Sequence, residues 1–396
     1  MTEPWLSIIG IGEDGMAGLS EASRNALSLA EFVFGGLRHL ALAEVGGRGR
    51  PWPVPFSVDP VLALRGRRVA VLASGDPFWH GAGRVLADRL APGEWRAHPA
   101  PSTFSLAAAR LGWPVETTAC LGLHAMPVES LRPRLRDGAR LICLLRDGAA
   151  CGELAAYLAA QGFGASRLHV LEALGGPRER RRTCIACDYD LADVAAPVAL
   201  GIEMAGRLGL PLTPGLPDDL FAHDGQITKR PVRALTLATL GPRPGEVLWD
   251  LGAASGSVAI EWCLAGGGAA IAAECRADRI AGLRANIAAF GLGPRIAIAE
   301  GHWPALLADL PPADAVFVGG GLSAASLDLL WARLRPGARL VANAVTLETE
   351  ALLILAAGRH GGELLRIELA GAAPLGAFRG WVPARPLVQW SVTRCV

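Results

Sequence analysis

Residues 247–262 read VLWDLGAASGSVAIEW. An apolar run ends near Asp250, crosses the small residues Gly252, Ala253, Ala254, Ser255 and Gly256, and opens into a helical pattern. Small side chains let a ligand approach the backbone. The first turn of a helix carries unpaired N–H groups and a partial positive charge. Such a junction suits a phosphate or a carboxylate. The next strand, AAIAAE, ends in Glu274, where a carboxylate can accept both hydroxyls of a ribose.

Two cofactors fit an acid-terminated second strand, a dinucleotide or S-adenosylmethionine. The dinucleotide fingerprint G-x-G-x-x-G is absent from this loop, with Ala254 where pyrophosphate needs its middle glycine. A methionine carboxylate and amine need less room. Asp250, just before the loop, is placed to reach a cofactor ammonium or to orient the turn.

The surrounding chain sets limits on the answer. Its 396 residues suit two or three domains, and a composition of 51% apolar and 19% charged residues excludes a disordered chain. A net charge of +1 gives no electrostatic footprint for nucleic acid. No uncharged apolar stretch reaches the roughly 18–20 residues of a membrane span, and no secretory signal pattern opens the chain. A cytoplasmic protein is expected. The eight cysteines are scattered, and Cys184 and Cys187 alone form a C-x-x-C. With no second pair or histidines at ligand spacing, no metal site is expected. Of 38 basic residues all but one are arginine, the exception being Lys229. It is either a survivor of codon bias or a site where a compact ammonium suits the geometry.

Short runs rich in Val, Ile and Leu alternate with helical patterns throughout. WLSIIGI (5–11), RVAVLAS (68–74) and RLICLL (140–145) are examples, with DAVFVGG (314–320) and RLVANAV (339–345) further on. This rhythm implies α/β layers with mostly parallel sheets. It breaks at residues 206–225, GRLGLPLTPGLPDDLFAHDG, whose three prolines and four glycines read as a linker. The expected organisation is a domain over 1–207, a linker over 208–222 and a second domain over 223–396, with no repeat relating the halves.

An earlier loop, Gly10-Ile11-Gly12-Glu13-Asp14-Gly15, does match G-x-G-x-x-G after a strand, so NAD enters consideration. The acid that should end the next strand is missing, because EFVFGG ends in Gly35-Gly36. Other stretches point elsewhere. IIGIGEDGMAGLS, GGLRHL, ASGDPFWHGAG (73–83) and PSTFSLAAARLGWP (101–114) together resemble the tetrapyrrole methylase family. That resemblance implies a two-lobed α/β fold with S-adenosylmethionine in the cleft between the lobes. Ser74, Gly75, Asp76, Phe78, Thr103, Phe104 and Leu145 would contact the cofactor, and Gly10 and Gly12 would face a macrocycle. LGLHAMP and LGGPRER resemble the branch that methylates carbon 5 of a precorrin.

The second half carries its own resemblance. TKRPVRALTLATLGPRPGEVLWDLGAASGSVAIE is followed by AEGHWPALL, ADAVFVGG and RLRPGARLVANAVTLET. In this order they resemble the class I decarboxylating precorrin methyltransferases that act at carbon 15. The implied fold is Rossmann-like. Thr228, Gly252 to Gly256, Glu274 and Trp303 would line the S-adenosylmethionine site, and His302 is expected to be a solvated or packing residue.

The pairing resembles the fused decarboxylating precorrin methyltransferases of cobalamin biosynthesis. It implies one S-adenosylmethionine per domain, a small tetrapyrrole substrate and a homo-oligomer, with no nucleic-acid or membrane partner. Methyl transfer from a sulfonium needs in-line placement and little acid–base help. Loss of carbon dioxide from a ring acetate can use the conjugated macrocycle as electron sink. Lys229 and His124 are the candidate catalytic residues, His124 as a proton carrier or a structural histidine. The Arg178–Arg182 run reads as a solvated face or as a cationic patch for a polycarboxylate. Two rivals stay open. One is a methyltransferase acting on RNA or another small molecule; the other gives the first domain a non-catalytic nucleotide-binding role.

Overall fold

The computed structural model describes residues 4–395. Two compact units divide the chain, one of Met1–Val128 and Arg134–Gly209, the other of Glu129–Pro133 and Leu210–Val396. No helix among the described residues is long and apolar enough to cross a membrane.

The first unit holds two five-stranded sheets. One contains β1 (Leu6–Ile11), β2 (Phe32–Gly35), β3 (Gly49–Pro51), β4 (Val69–Ser74) and β5 (Trp95–His98) in the order β3-β2-β4-β1-β5. Every pairing in it is parallel. Both faces are covered, and alternate side chains of β1 serve separate cores. Ile9 and Ile11 pack into one, Leu6 and Ile8 into the other.

The other sheet contains β6 (Ala119–Gly122), β7 (Arg140–Leu145), β8 (Arg167–Glu172), β9 (Arg180–Ile185) and β10 (Val198–Glu203). Its order is β6-β7-β10-β8-β9, and only β6 and β7 run parallel. The rhythm of apolar runs implied a mostly parallel sheet, and here the expectation fails. A parallel return needs a long crossover, whereas β8 and β9 are joined by a short loop without a helix.

In the second unit a seven-stranded sheet is built from β11 (Val247–Leu251), β12 (Ala269–Glu274), β13 (Ile296–Glu300), β14 (Ala315–Val318), β15 (Arg339–Ala344), β16 (Glu363–Ile367) and, after the separate hairpin β17 (Ala370–Leu375) and β18 (Phe378–Pro383), β19 (Leu387–Thr393). The order is β13-β12-β11-β14-β15-β19-β16. The strands from β13 to β15 pair parallel, and β19 runs antiparallel between β15 and β16. Ala315 and Phe317 face one core, Val316 and Val318 the other.

Residues 206–225, read from sequence as a linker, are partly built into this unit. Leu216 and Phe221 are buried in its core, and the Gly215 and Leu216 N–H groups donate to the Glu261 carboxylate. Arg233 donates to the same carboxylate at 2.6 Å, to Asp218, and to the carbonyls of Leu216 and Thr228. Its guanidinium carbon lies 4.9 Å from the centre of the Phe221 ring.

Candidate active sites

In the second unit the loop after β11 opens on a cavity of about 620 Å³. Gly252, Ala254 and Gly256 all hold positive φ, at 75°, 47° and 71°. A side chain at Gly256 would strike Leu283, so glycine is required there on two counts. Ala254 adopts the left-handed conformation at a cost of roughly 1–2 kcal/mol. The loop is therefore strained where the sequence departs from glycine.

Glu274 holds that loop in place. Its Oε2 accepts from the Ala254 N–H at 2.9 Å, while Oε1 accepts from the N–H groups of Cys275 and Arg276 at 2.9 and 3.0 Å. A carboxylate offers about four lone-pair positions. Three backbone donors occupy it here, and the Cys275 thiol lies 3.7 Å from Oε1 as a fourth. The sequence reading gives it both hydroxyls of a ribose; in the structure its two oxygens hold the loop and the turn after β12.

Asp250 accepts from the Ala259 N–H at 3.0 Å, which satisfies one donor in the first turn of the helix Ser257–Leu264. Its Oδ1 is buried without a hydrogen-bond partner among the described residues, and the residue lines the cavity. Burial pushes its carboxyl up to about 7, opposed by the Ala259 bond and aided by the charge of Glu274. An orphaned carboxylate oxygen at a cavity wall fits a ligand cation. The residues thus suit an aminoacyl cofactor.

Thr228, Lys229, Gly252, Ala253, Ala254, Glu274 and Trp303 all line this cavity; Ser255 and Gly256 do not. Ser255 is buried behind the loop, with its carbonyl bonded to Asn286. Trp303 is buried, and its indole N–H donates to the Gly320 carbonyl at 3.1 Å. His302 is exposed at the rim, consistent with solvation. The cavity also draws in Arg279, Asn343 and Arg385, none of which the sequence singled out. Nothing in local pattern marks them, because they arrive from separate elements.

The first unit has a cavity of about 790 Å³ between its two sheets, lined by Gly12, Ser74, Gly75, Thr103, Phe104, His124 and Leu145 among others. Gly10 lies outside the lining: a Cβ there would sit 1.8 Å from the Gly75 carbonyl oxygen. That glycine lets two loops touch. Asp76 also stands off the wall, its Oδ1 accepting from the Phe78 N–H at 2.9 Å. Phe78 packs against Trp95, with ring centres 5.4 Å apart. His124 faces His80 across 6.2 Å.

Around Ser74, Arg38 and His39, which sequence reasoning assigned no role, complete a polar cluster in this cavity. Ser74 Oγ lies 2.8 Å from His39 Nε2 and 2.9 Å from the Arg38 guanidinium, which is ion-paired with Glu13. Burial, with help from Arg38, pushes the His39 imidazole down to about 4. The arginine run is accounted for differently. Arg180 and Arg182 are bonded to the buried Glu172 and to Asp193, while Arg178 reaches Glu13 and Arg181 reaches Glu179. Arg180 and Arg182 thus brace the buried Glu172, whereas Arg178 and Arg181 keep most of their side chains in solvent.

Comparison with known proteins joins the two sites. Residues 6–186 match the family described as tetrapyrrole (corrin/porphyrin) methylases, and residues 219–394 match the precorrin methyltransferase domain. A protein of Sinorhizobium sp. named precorrin-6Y C(5,15)-methyltransferase [decarboxylating] is 48% identical over 403 residues, covering 100% of this chain and 97% of that one. The chain belongs to the precorrin-6Y C(5,15)-methyltransferase (decarboxylating) family. A Mycobacterium tuberculosis protein with the same family name is 40% identical over 98% of this chain and 99% of its own length. A shorter relative from Pyrobaculum calidifontis, named probable cobalt-precorrin-6B C(15)-methyltransferase (decarboxylating), is 36% identical over 155 residues. That match covers 38% of this chain and 79% of the relative. The second unit's cavity lies wholly within the 219–394 match, and the first unit's cavity lies within the 6–186 match apart from Pro197, Val198 and Ala199.

Proposed function

We propose that the chain methylates a precorrin at carbons 5 and 15 and removes one carboxyl group as carbon dioxide. The supporting observation is that two separate cavities occur, one in each unit. In this reading residues 1–207 carry the carbon-5 reaction, 208–222 connect, and 223–396 carry methylation at carbon 15 with decarboxylation. The match of residues 219–394 to the precorrin methyltransferase domain supports that division, as does a carbon-15 name on a relative that covers only 38% of this chain.

Each unit takes one S-adenosylmethionine, which when bound supplies an electrophilic methyl group. In the second unit Glu274 holds the loop and accepts from a ribose hydroxyl, and Asp250 accepts from the ammonium. Thr228 and Trp303 close the sides of the site. In the first unit Ser74, Gly75, Thr103, Phe104 and Leu145 form the cofactor wall, and Gly12 faces the macrocycle. The protein's task is to place a nucleophilic carbon in line and exclude water. Lys229 and His124 remain the candidate catalytic residues, His124 as a proton carrier.

The setting is cytoplasmic and the assembly a homo-oligomer. In support of the latter, the hairpin of β17 and β18 presents Leu375, Phe378, Trp381 and Val382 to solvent. Sedimentation of the intact chain tests it, and a monomer at working concentration refutes it.

Mass spectrometry of the product from reduced precorrin-6 tests the reaction: two methyls gained and one carbon dioxide lost. Fragments 1–209 and 210–396 test the division. A soluble 210–396 piece that binds cofactor yet leaves the precorrin unchanged, while the intact chain converts it, would mean one composite site.

A further inference from the structure

The cavity of the second unit has a wall that the cofactor loop does not explain. Val232, Ile367 and Leu387 form a small apolar cluster of their own, with Leu369 packed against it, apart from the two main cores. All four line the cavity. Val232 comes from the helix Arg230–Leu240 and Ile367 from the end of β16; Leu387 opens β19. Val232, Ile367 and Leu387 are nearly buried, with the surface they keep lying on the cavity wall.

Two cations stand at its margin. Lys229 precedes the helix that carries Val232, and Arg385 lies two residues before Leu387; both are exposed and both line the cavity. Neither has an ion-pair or hydrogen-bond partner for its side chain among the described residues. Arg279, the third cation of the lining, is held by Asp224 at 2.9 Å. Unpaired cations beside an apolar wall suit a ligand with a flat apolar body and carboxylates at its edge. Arginine takes a carboxylate through two parallel bonds, and lysine takes one as a point charge.

We infer that this wall is the tetrapyrrole platform of the second unit. Val232, Ile367, Leu369 and Leu387 lie against the macrocycle, and Lys229 and Arg385 bind its side-chain carboxylates. The inference rests on the proposed function and adds which residues select the substrate. It assigns the single lysine of the chain a recognition role and brings in the C-terminal strands.

Lys229→Ala and Arg385→Ala in the full chain test it, with the initial rate of carbon dioxide release from reduced precorrin-6 as readout. Each variant is expected to raise the half-saturating precorrin concentration about tenfold. Arg385→Lys should recover part of that loss, and calorimetric affinity for S-adenosylmethionine should stay at the wild-type value. Arg359→Ala, a paired surface arginine held by Asp328, serves as control. Half-saturation within twofold of wild type in both single variants and in the double variant would overturn the platform. If the wild-type chain releases no carbon dioxide, the functional reading fails by itself. The platform is then scored by titrating wild type and the double variant with uroporphyrin, where equal affinity overturns it and weaker binding by the variant upholds it.

Discussion

Arg233 and Glu261 meet in the interior of the second unit with Nε and Oε1 2.6 Å apart, and neither exposes more than 2% of its side chain. Both charges hold backbone as well as each other. Glu261 takes the N–H groups of Gly215 and Leu216, and Arg233 takes the carbonyls of Leu216 and Thr228. The pair therefore ties the stretch before the helix Arg230–Leu240 to the helix Ser257–Leu264, and fixes Thr228 at the cavity.

Arg233→Ala leaves a buried carboxylate without its cation, which typically costs about 3–5 kcal/mol. The melting transition of the second unit should fall by many degrees or vanish. Arg233→Ala with Glu261→Leu should not recover it, because backbone groups at 215 and 216 lose their acceptor. A double variant as stable as wild type would show that the pair is dispensable.

Glu274→Ala removes the acceptor for the Ala254, Cys275 and Arg276 N–H groups and, in the proposed site, the ribose contact. Calorimetric affinity of the second unit for S-adenosylmethionine should drop by more than about tenfold. An unchanged isotherm in a folded variant removes Glu274 from the site.

The Asp250 carboxyl titrates near 7 in the free protein, chiefly because burial disfavours its charge. Since the folded value lies above the unfolded one, this group lowers stability as pH rises from about 4 to about 7. A bound ammonium favours the ionised form. Binding at pH 6 should thus release a proton, and affinity should rise with pH and level off above about 7. Asp250→Asn should flatten the profile. Calorimetry in buffers of different ionisation enthalpy reads the proton directly, and a flat wild-type profile sinks the assignment.

His39 is held neutral, its midpoint depressed to about 4 by burial and by Arg38. The unfolded chain takes up a proton below about 6.5 that the folded chain refuses. Stability of the first unit should therefore fall as pH drops from 6.5 toward 4, and His39→Asn should remove that slope. A ring-proton NMR titration with a midpoint near 6.5 would contradict it.

The parallel strands were legible because burial on both faces forces continuous apolar runs, as in AVFV of β14. Thr228, the loop from Gly252 and Glu274 could be read because they sit beside one another in motif order. The direction of β8, β9 and β10 could not, since a strand's local sequence does not record its orientation. The C-terminal strands were also missed. Four of the five residues of β16 are exposed, so it lacks the apolar signature, and its place depends on β19. Lys229 was flagged by composition, but Arg385 becomes visible only when β19 folds back beside β15. The cluster of Ser74, His39 and Arg38 was hidden for the same reason: positions 35 and 36 residues apart meet in the cavity.

The position of β19 between β15 and β16 also has a consequence in time. Ribosomes make β16 before the strand that is its only partner in the sheet. Until residues 387–393 emerge, β16 has nothing to pair with and β15 has an open edge. Loss of the last ten residues would therefore remove an interior strand, along with the Leu387 corner of the cavity. A nonsense codon at or before residue 387 would yield a chain without β19 and without a finished second site, with an open edge for quality-control machinery to find.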